Sequence, residues 1–441
     1  MNEDDIFEKR RATEFPQLAS GIAYLDWTGA AIPPAHLIDA CASDLRGTLL
    51  GNPHSLHTPS MTSKERVDET RKAILTYVRA NPEEYEVVFT ANATQAILIL
   101  QHFQFEGGEI LLSTDNHNSV NGLRMLAQRA GAVVRYAPLQ PNLELHDASL
   151  AHLLAHPRTR GQRLFAYPAK SNYSGIVHDL KWVRYAQQNG WKVLLDAAAY
   201  AANDRLDLSK TQPDFVALSF YKLFGFPTGV GCLLIRKDAY ASLSKRWFSG
   251  GSIHMVSVAK DIVVHESTGY ARFEDGTVNF ALIPAVMNGL RFIQSLPPLK
   301  PHAVKLMGIL YTALMDMRGK HGHIDLLGQP GTDIVTFNVV KQKKVVDVHV
   351  VERAANAAGV CIRGGCFCNP GASEVAFGYS AEMLARAYNT IEDLEHFTPD
   401  MLKPFVDGRP VGALRASAGY ANIPPDIHKL INFLDQYVNE P

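Results

Sequence analysis

The sequence predicts an α/β protein: a mostly parallel sheet covered by helices on both faces, with a smaller α+β domain attached. Three observations lead there. Between Glu86 and Asp196 short apolar runs alternate with segments of helical periodicity. Runs such as Val87-Val88-Phe89, Ile110-Leu111-Leu112 and Val193-Leu194-Leu195 show no polar side, as strands buried between two helix layers should. From Pro297-Pro298 onward the alternation stops and a different pattern begins.

In chain order, Tyr24 to Ala31 reads as a short strand running into a small-residue turn, ahead of Pro33-Pro34. Thr62 to Arg79 mixes charged and apolar residues at helical spacing and stops before Asn81-Pro82. Strands are then expected at Glu86–Thr90, Glu109–Ser113, Ala132–Ala137, Arg163–Tyr167 and Trp191–Leu195. Helices are expected between and after them at Thr94–Phe103, Ser119–Ala130, Ala148–His156 and Leu180–Asn189. Asp214–Leu218 and Val230–Ile235 are two further apolar runs, joined through Ser219-Phe220-Tyr221-Lys222-Leu223-Phe224-Gly225 and the turn that follows it. Beyond Pro297 come a long helix from His302, a strand at Asp333–Val339, a helix at Val346–Ala358, a cysteine cluster, the run Arg415-Ala416-Ser417 and a last helix at Pro425–Tyr437.

Composition narrows the function. The chain has 441 residues, 46% hydrophobic and 20% charged, with a formal net charge of -1. That describes a soluble globular protein of two domains, without the basic footprint of a nucleic-acid binder or a polybasic membrane patch. The acidic, polar start Met1 to Arg11 lacks the apolar core of a signal peptide, and no stretch is long and apolar enough to span a bilayer. Five cysteines, three of them at Cys361, Cys366 and Cys368, do not suggest a disulfide framework, so a reducing cytoplasm is the expected location.

In open α/β sheets ligands bind outside the carboxyl ends of the strands, so those ends are where chemistry is expected. After the first strand, Asn92-Ala93-Thr94 opens a helix, a setting that suits phosphate and equally suits a plain N-cap. After the second comes His117, able to stack on a planar ring or carry a proton, or simply a loop histidine. After the fourth comes Asn172 in Lys170-Ser171-Asn172-Tyr173-Ser174-Gly175, a potential donor to a ligand oxygen in a stretch with ordinary turn chemistry. The fifth ends in Asp196, a carboxylate costly to bury alone, followed by three alanines that leave room for a ring. At the next end sits Lys222. Read by itself it is a surface lysine; in a dry pocket its lowered pKa would let it form a Schiff base with a carbonyl. Phosphate anchor, stacking histidine, buried acid and pocket lysine, in that order, fit one ligand, pyridoxal 5'-phosphate. Its phosphate, ring, pyridine nitrogen and aldehyde need these four groups.

On these residues the chain resembles the class V aminotransferase or cysteine desulfurase family of fold type I pyridoxal phosphate enzymes, within it most nearly the desulfurase-like domain of the molybdenum cofactor sulfurase branch. The likeness runs over nearly the whole chain. It is carried by Tyr24 to Ala31, Gly51 to Ser55, Phe89 to Thr94, Asn116 to Val120, Phe165 to Gly175, Trp191 to Ala199, Asp214 to Gly231, Phe273 to Phe280 and Arg363 to Ala372. The resemblance implies a seven-stranded, mostly parallel sheet in a large domain, 32–296, and a small α+β domain made of 1–31 and 297–441.

The resemblance also implies roles. Lys222 would carry the cofactor, Asp196 would pair with the pyridine nitrogen, His117 would stack on the ring and Asn172 would contact the ring hydroxyl. Ala93, Thr94 and Ser219 would bind phosphate, with Tyr221 in the cofactor shell where the family often has a histidine. Thr277, after Gly276, would reach the phosphate of a second subunit, which implies a homodimer. Arg415 would clamp the substrate carboxylate, a task suited to a bidentate guanidinium. In Arg363-Gly364-Gly365-Cys366-Phe367-Cys368-Asn369-Pro370, Cys368 matches the catalytic cysteine better than Cys366, and the glycines would let the loop move. The alternatives are two buried structural cysteines or half of a metal site; Cys-x-Cys alone is a poor zinc pattern, though Cys361 or a histidine could complete one, and no metal is expected.

The chain departs from the family at Ala199, where desulfurases often have glutamine, and at Ala372 and Ser373, where the branch often has a cysteine. The sequence also stops at Pro441, short of the branch's usual target domain, so a separate sulfur acceptor is expected. The expected reaction converts L-cysteine to L-alanine with sulfur left on Cys368. A C–S lyase, epimerase or aminotransferase, or a non-catalytic sulfur carrier or scaffold, are the alternatives.

Overall fold

The computed structural model describes residues 3–266 and 269–439. Its organising element is a seven-stranded sheet. In chain order its strands are β1 (Tyr85–Thr90), β2 (Glu109–Ser113), β3 (Val133–Ala137), β4 (Arg163–Pro168), β5 (Lys192–Asp196), β6 (Phe215–Ser219) and β7 (Gly231–Arg236). In space they run β1-β7-β6-β5-β4-β2-β3. All neighbours are parallel except β7, which lies antiparallel to both β1 and β6.

The two-sided apolar runs explain why this sheet is interior. On β6, Val216 and Leu218 join one buried cluster while Phe215 and Ala217 join another on the opposite face. On β5, Val193 and Leu195 separate from Leu194 in the same way. One cluster is closed by the helices Thr58–Tyr77, Lys181–Gln188 and Ala285–Gln294, through Val67, Ile74, Trp182, Val183, Val286 and Leu290. The other is closed by Ala93–Leu98 and Leu123–Arg129, through Ala96, Ile97, Leu123 and Ala127.

A second sheet, wholly antiparallel, forms from β8 (Ile324–Leu327), β9 (Ile334–Lys341), β10 (Arg363–Gly365) and β11 (Ala413–Ser417), in the order β8-β9-β11-β10. The helices Leu299–His321 and Pro424–Asn439 share a buried cluster with it that includes Leu306, Leu310, Phe337, Leu414 and Leu430. Ala23 and Leu25, far away in sequence, pack into the same cluster, because Ala23–Tyr24 pairs in parallel with Val360–Cys361. Among the described residues no helix is long and apolar enough to cross a membrane.

Several elements differ from expectation. Ser119–Ala130 is two helices, Asn118–Asn121 and Leu123–Arg129, divided at Gly122, which itself keeps helical dihedrals at φ -58° and ψ -26°. Thr94–Phe103 is α-helical only as Ala93–Leu98 before tightening into a 3₁₀ turn at Ile99–His102. The polar start folds as a helix, Glu3–Glu14, held because Arg11 reaches Asp426 with two bonds of 2.8 and 2.9 Å and Phe7 stacks on His302 at 3.8 Å. An antiparallel hairpin, Ile253–Ser257 with Ile262–His265, was not expected at all.

One buried ion pair ties the edge of the large sheet to its cover. Arg71 donates to both oxygens of Glu274 at 2.7 and 2.6 Å, Glu274 accepts from the Phe89 amide at 2.6 Å, and the Arg71 guanidinium lies 3.8 Å from the Tyr270 ring centroid. Arg71→Ala would strand the Glu274 charge, which costs about 3–5 kcal/mol for a buried pair broken on one side. A urea titration should show the midpoint falling with the slope unchanged.

Candidate active site

The carboxyl ends of β1, β2, β4, β5 and β6 surround a cavity of about 170 Å³. Ala93, Thr94, His117, Asn172, Asp196, Ser219, Tyr221 and Lys222 all line it. The strand-end residues singled out in the sequence therefore converge in space.

Lys222 stands on a single helical turn, Phe220–Phe224, in place of the open connection the sequence suggested between β6 and β7. Phe220 and Phe224 are buried and stack at 6.0 Å, which pins the turn to the core and sends Lys222 to the cavity. Gly225 ends the turn at φ 75°, a left-handed conformation, and a side chain there would lie 2.3 Å from the Pro33 nitrogen. Among the described residues the Lys222 amine has no hydrogen-bond or ion-pair partner. Burial lowers its pKa; Asp196 opposes that, while Arg415 and Arg363 reinforce it.

Asp196, at the end of β5, is buried and accepts from the Ala198 amide at 3.0 Å through Oδ1. Its Oδ2 has no partner among the described residues, and Ala198 and Ala199 line the cavity beside it. A carboxylate oxygen left open in a small-residue cavity suits a protonated ring nitrogen. His117 uses Nδ1 to accept from the Ser119 amide at 3.1 Å, which leaves Nε2 as the protonated nitrogen of the neutral ring. Burial lowers its pKa, and Lys222 and Arg415 add to the effect against Asp196, so the imidazole is held neutral and can stack flat.

The hydroxyls gather at one end. Ser219 Oγ accepts from the Ala93 amide at 2.7 Å, and Thr94 Oγ1 lies 2.7 Å from Ser119 Oγ. Gly231 permits this, since a Cβ there would sit 2.6 Å from the Asn92 Cα. Hydroxyls and amides clustered opposite a lysine and an open carboxylate form a donor set that fits the phosphate, aldehyde and ring of pyridoxal phosphate.

Three expected residues lie outside the cavity lining. Arg415 is buried on β11 and donates to the Asn172 carbonyl and to Asp26 Oδ1, both at 2.8 Å. Its register partner on β10 is Arg363, a like-charged pair that would repel. Asp26 resolves this by accepting from Arg363 Nε and Nη2 at 2.9 and 2.6 Å as well. Asp26 had no assigned role in the sequence reading; its one local signal was its place at the end of a short strand. Arg415 Nε keeps no partner among the described residues. Thr277 is exposed and accepts from Asn52 at 3.3 Å. Cys368 and Cys366 are both exposed. The Cys368 carbonyl accepts from the Asn118 amide at 2.7 Å, and the Phe367 carbonyl from Asn172 Nδ2 at 2.7 Å. The cysteine loop is thus bonded to two of the segments that wall the cavity. Among the described residues no cluster of three or more His, Cys, Asp or Glu is placed to hold a metal ion.

The family model Aminotransferase class-V matches residues 23–397. A molybdenum cofactor sulfurase of Bos taurus is 33% identical over 459 aligned positions, covering 96% of this chain and 51% of that protein. The chain therefore spans about half the length of the curated relatives it matches. A cysteine desulfurase from Thermococcus onnurineus superposes with a TM-score of 0.80 at 20% identity, covering 99% of this chain and 98% of that one. A cystine C–S lyase in complex with cysteine persulfide superposes with a TM-score of 0.71 at 21% identity, covering 96% and 99%.

Proposed function

Since the chain belongs to the class V aminotransferase family of pyridoxal phosphate enzymes, we propose that it is a cysteine desulfurase, converting L-cysteine to L-alanine and passing the sulfur through Cys368 to a separate acceptor. The observation that carries this reading is the attachment of the Cys368 loop, through Asn118 and Asn172, to the walls of the Lys222 cavity. Lys222 would hold the cofactor through its amine, and the cofactor would supply an electron sink for the substrate's Cα–H and C–S bonds.

In this reading the chain's own groups divide the remaining work. Asp196 would keep the ring nitrogen protonated, His117 would cover the ring face, and Ala93, Thr94 and Ser219 would hold phosphate. Arg415, oriented by Asp26 and the Asn172 carbonyl, takes the substrate carboxylate. The Lys222 amine, its pKa lowered by burial, would remove the Cα proton once the substrate's own amine has taken its place, and would supply protons to the product carbon. The Cys368 thiolate attacks the substrate sulfur, and that sulfur stays on Cys368 as a persulfide. Cysteine plus one thiol gives alanine plus one persulfide, so the step needs no outside oxidant or reductant. Thr277, exposed and outside the cavity lining of its own chain, would serve a second copy in a homodimer.

Incubation of the holoprotein with L-cysteine tests the reading. Alanine should appear, and mass spectrometry should find one added sulfur on the peptide carrying Cys368. Pyruvate and ammonia in place of alanine would instead make the protein a C–S lyase, the activity named for one protein of this fold.

A further inference from the structure

A buried polar network joins the segment before His117, the turn at Lys170–Gly175 and the cysteine loop, and apart from Asn172 the reaction above does not use it. Its centre is Asp115, fully buried two residues before His117. Asp115 Oδ2 lies 2.8 Å from His178 Nε2, and Oδ1 accepts from Ser171 Oγ at 2.9 Å and from Asn369 Nδ2 at 2.5 Å. Asn369, also fully buried, is the residue after Cys368. Its Nδ2 donates a second bond to Asn172 Oδ1 at 3.0 Å, while its Oδ1 accepts from the Ala372 amide at 3.2 Å and caps the helix Pro370–Phe377. Both hydrogens and the carbonyl of this amide are committed, so its orientation is fixed by the network.

Asn172 is fixed in turn. Its Nδ2 donates to the Phe367 carbonyl and its Oδ1 receives Asn369, so both ends of the side chain expected to meet the cofactor ring are engaged by the cysteine loop. The loop between these anchors is strained. Phe367 and Cys368 occupy the left-handed region at φ 55° and 56°, where residues with a Cβ are uncommon and persist only when their surroundings hold them.

We propose that Asn369 is a positioning residue that latches the cysteine loop to Asp115 and Asn172, holding Cys368 in its strained backbone and fixing the Asn172 amide in the same act. Loop placement and amide orientation are then one equilibrium. This rests on the desulfurase reading for its kinetic consequence, but not for its structural one.

Asn369→Asp tests it, because the aspartate keeps the cap on Ala372, loses both Nδ2 donations, to Asp115 and to Asn172, and sets a second carboxylate against Asp115. The readout is the rate of Cys368 alkylation by iodoacetamide in a Cys366→Ser holoprotein, followed by mass spectrometry, alongside alanine formation from L-cysteine. Breaking a hydrogen bond to a charged group predicts about tenfold faster alkylation and about tenfold lower kcat, with KM for L-cysteine nearly unchanged. The exchanged pair Asp115→Asn with Asn369→Asp returns a donor to the 115–369 bond but not to Asn172 Oδ1, so both rates should recover in part, by about threefold relative to Asn369→Asp alone. Wild-type alkylation in Asn369→Asp, or no recovery in the exchanged pair, overturns the proposal. If the wild-type protein makes no alanine, the desulfurase reading fails while the alkylation series still decides the latch.

Discussion

Lys222→Ala is expected to give a folded but colourless protein that turns over L-cysteine about 10²- to 10⁴-fold more slowly, the usual loss when a positioned acid–base group is removed. The structure argues for both halves of that result. The amine has no partner among the described residues, so its removal strands nothing, and it relieves a cavity in which burial already disfavours the charged ammonium. The denaturation midpoint should therefore not fall. The turn beneath it is held by Phe220 and Phe224 and ended by Gly225, none of which depends on the lysine side chain. What disappears is, among the described residues, the cavity-lining amine left without a partner, since Lys170 is bonded to Asp204 and Asp333. Lys222→Arg should fail equally, because a guanidinium stays protonated and cannot act as a neutral nucleophile or base. The visible spectrum of purified protein, then a single-turnover assay with added cofactor, measures this. A yellow Lys222→Ala protein with undiminished turnover would remove Lys222 from the chemistry.

How much of this was legible in the sequence follows from where each residue's partners lie. The strands of the large sheet could be read because each is buried on both faces and writes that burial into consecutive residues, as Phe215 to Ser219 do. The cavity could be read because a parallel sheet sends the carboxyl ends of its strands to one edge, so residues at Thr94, His117, Asn172, Asp196 and Lys222 meet whatever the loops do. The one-turn helix under Lys222 escaped because five residues with two phenylalanines carry no period to distinguish a turn of helix from an apolar connection. Asp26 and Asn369 escaped for a different reason. Their meaning lies in Arg415, 389 positions from Asp26, and in Asp115, 254 positions from Asn369, and nothing local announces either pairing. Arg415 itself was legible by likeness alone; that it faces Arg363 across a ladder and needs Asp26 between them is a property of strand register.

Cys368→Ala is the second large effect, and it separates the cofactor's contribution from the loop's. The variant should stay yellow, since Cys368 lies outside the cavity lining and Lys222 is untouched. The loop should stay docked, since the bonds that hold it run from the backbone carbonyls of Phe367 and Cys368 and from the Asn369 side chain. Alanine formation should nevertheless fall by about 10³-fold or more, the scale seen when a nucleophile is deleted from an intact site. No sulfur should accumulate on the loop peptide. Cys366→Ala is the control that gives this meaning: both thiols are exposed and only two positions apart, so a general requirement for a nearby thiol would make the two variants alike. The desulfurase reading expects Cys366→Ala to keep turnover within about twofold, because Cys368 is the residue whose backbone is bonded to Asn118, next to His117. The left-handed backbone at Cys368 adds a further condition: alanine is itself disfavoured there, so Cys368→Ser, equally strained but poorly nucleophilic toward sulfur, should match Cys368→Ala in rate. Full-rate alanine production from either variant would assign sulfur removal to the cavity alone and leave the loop with no part in the chemistry.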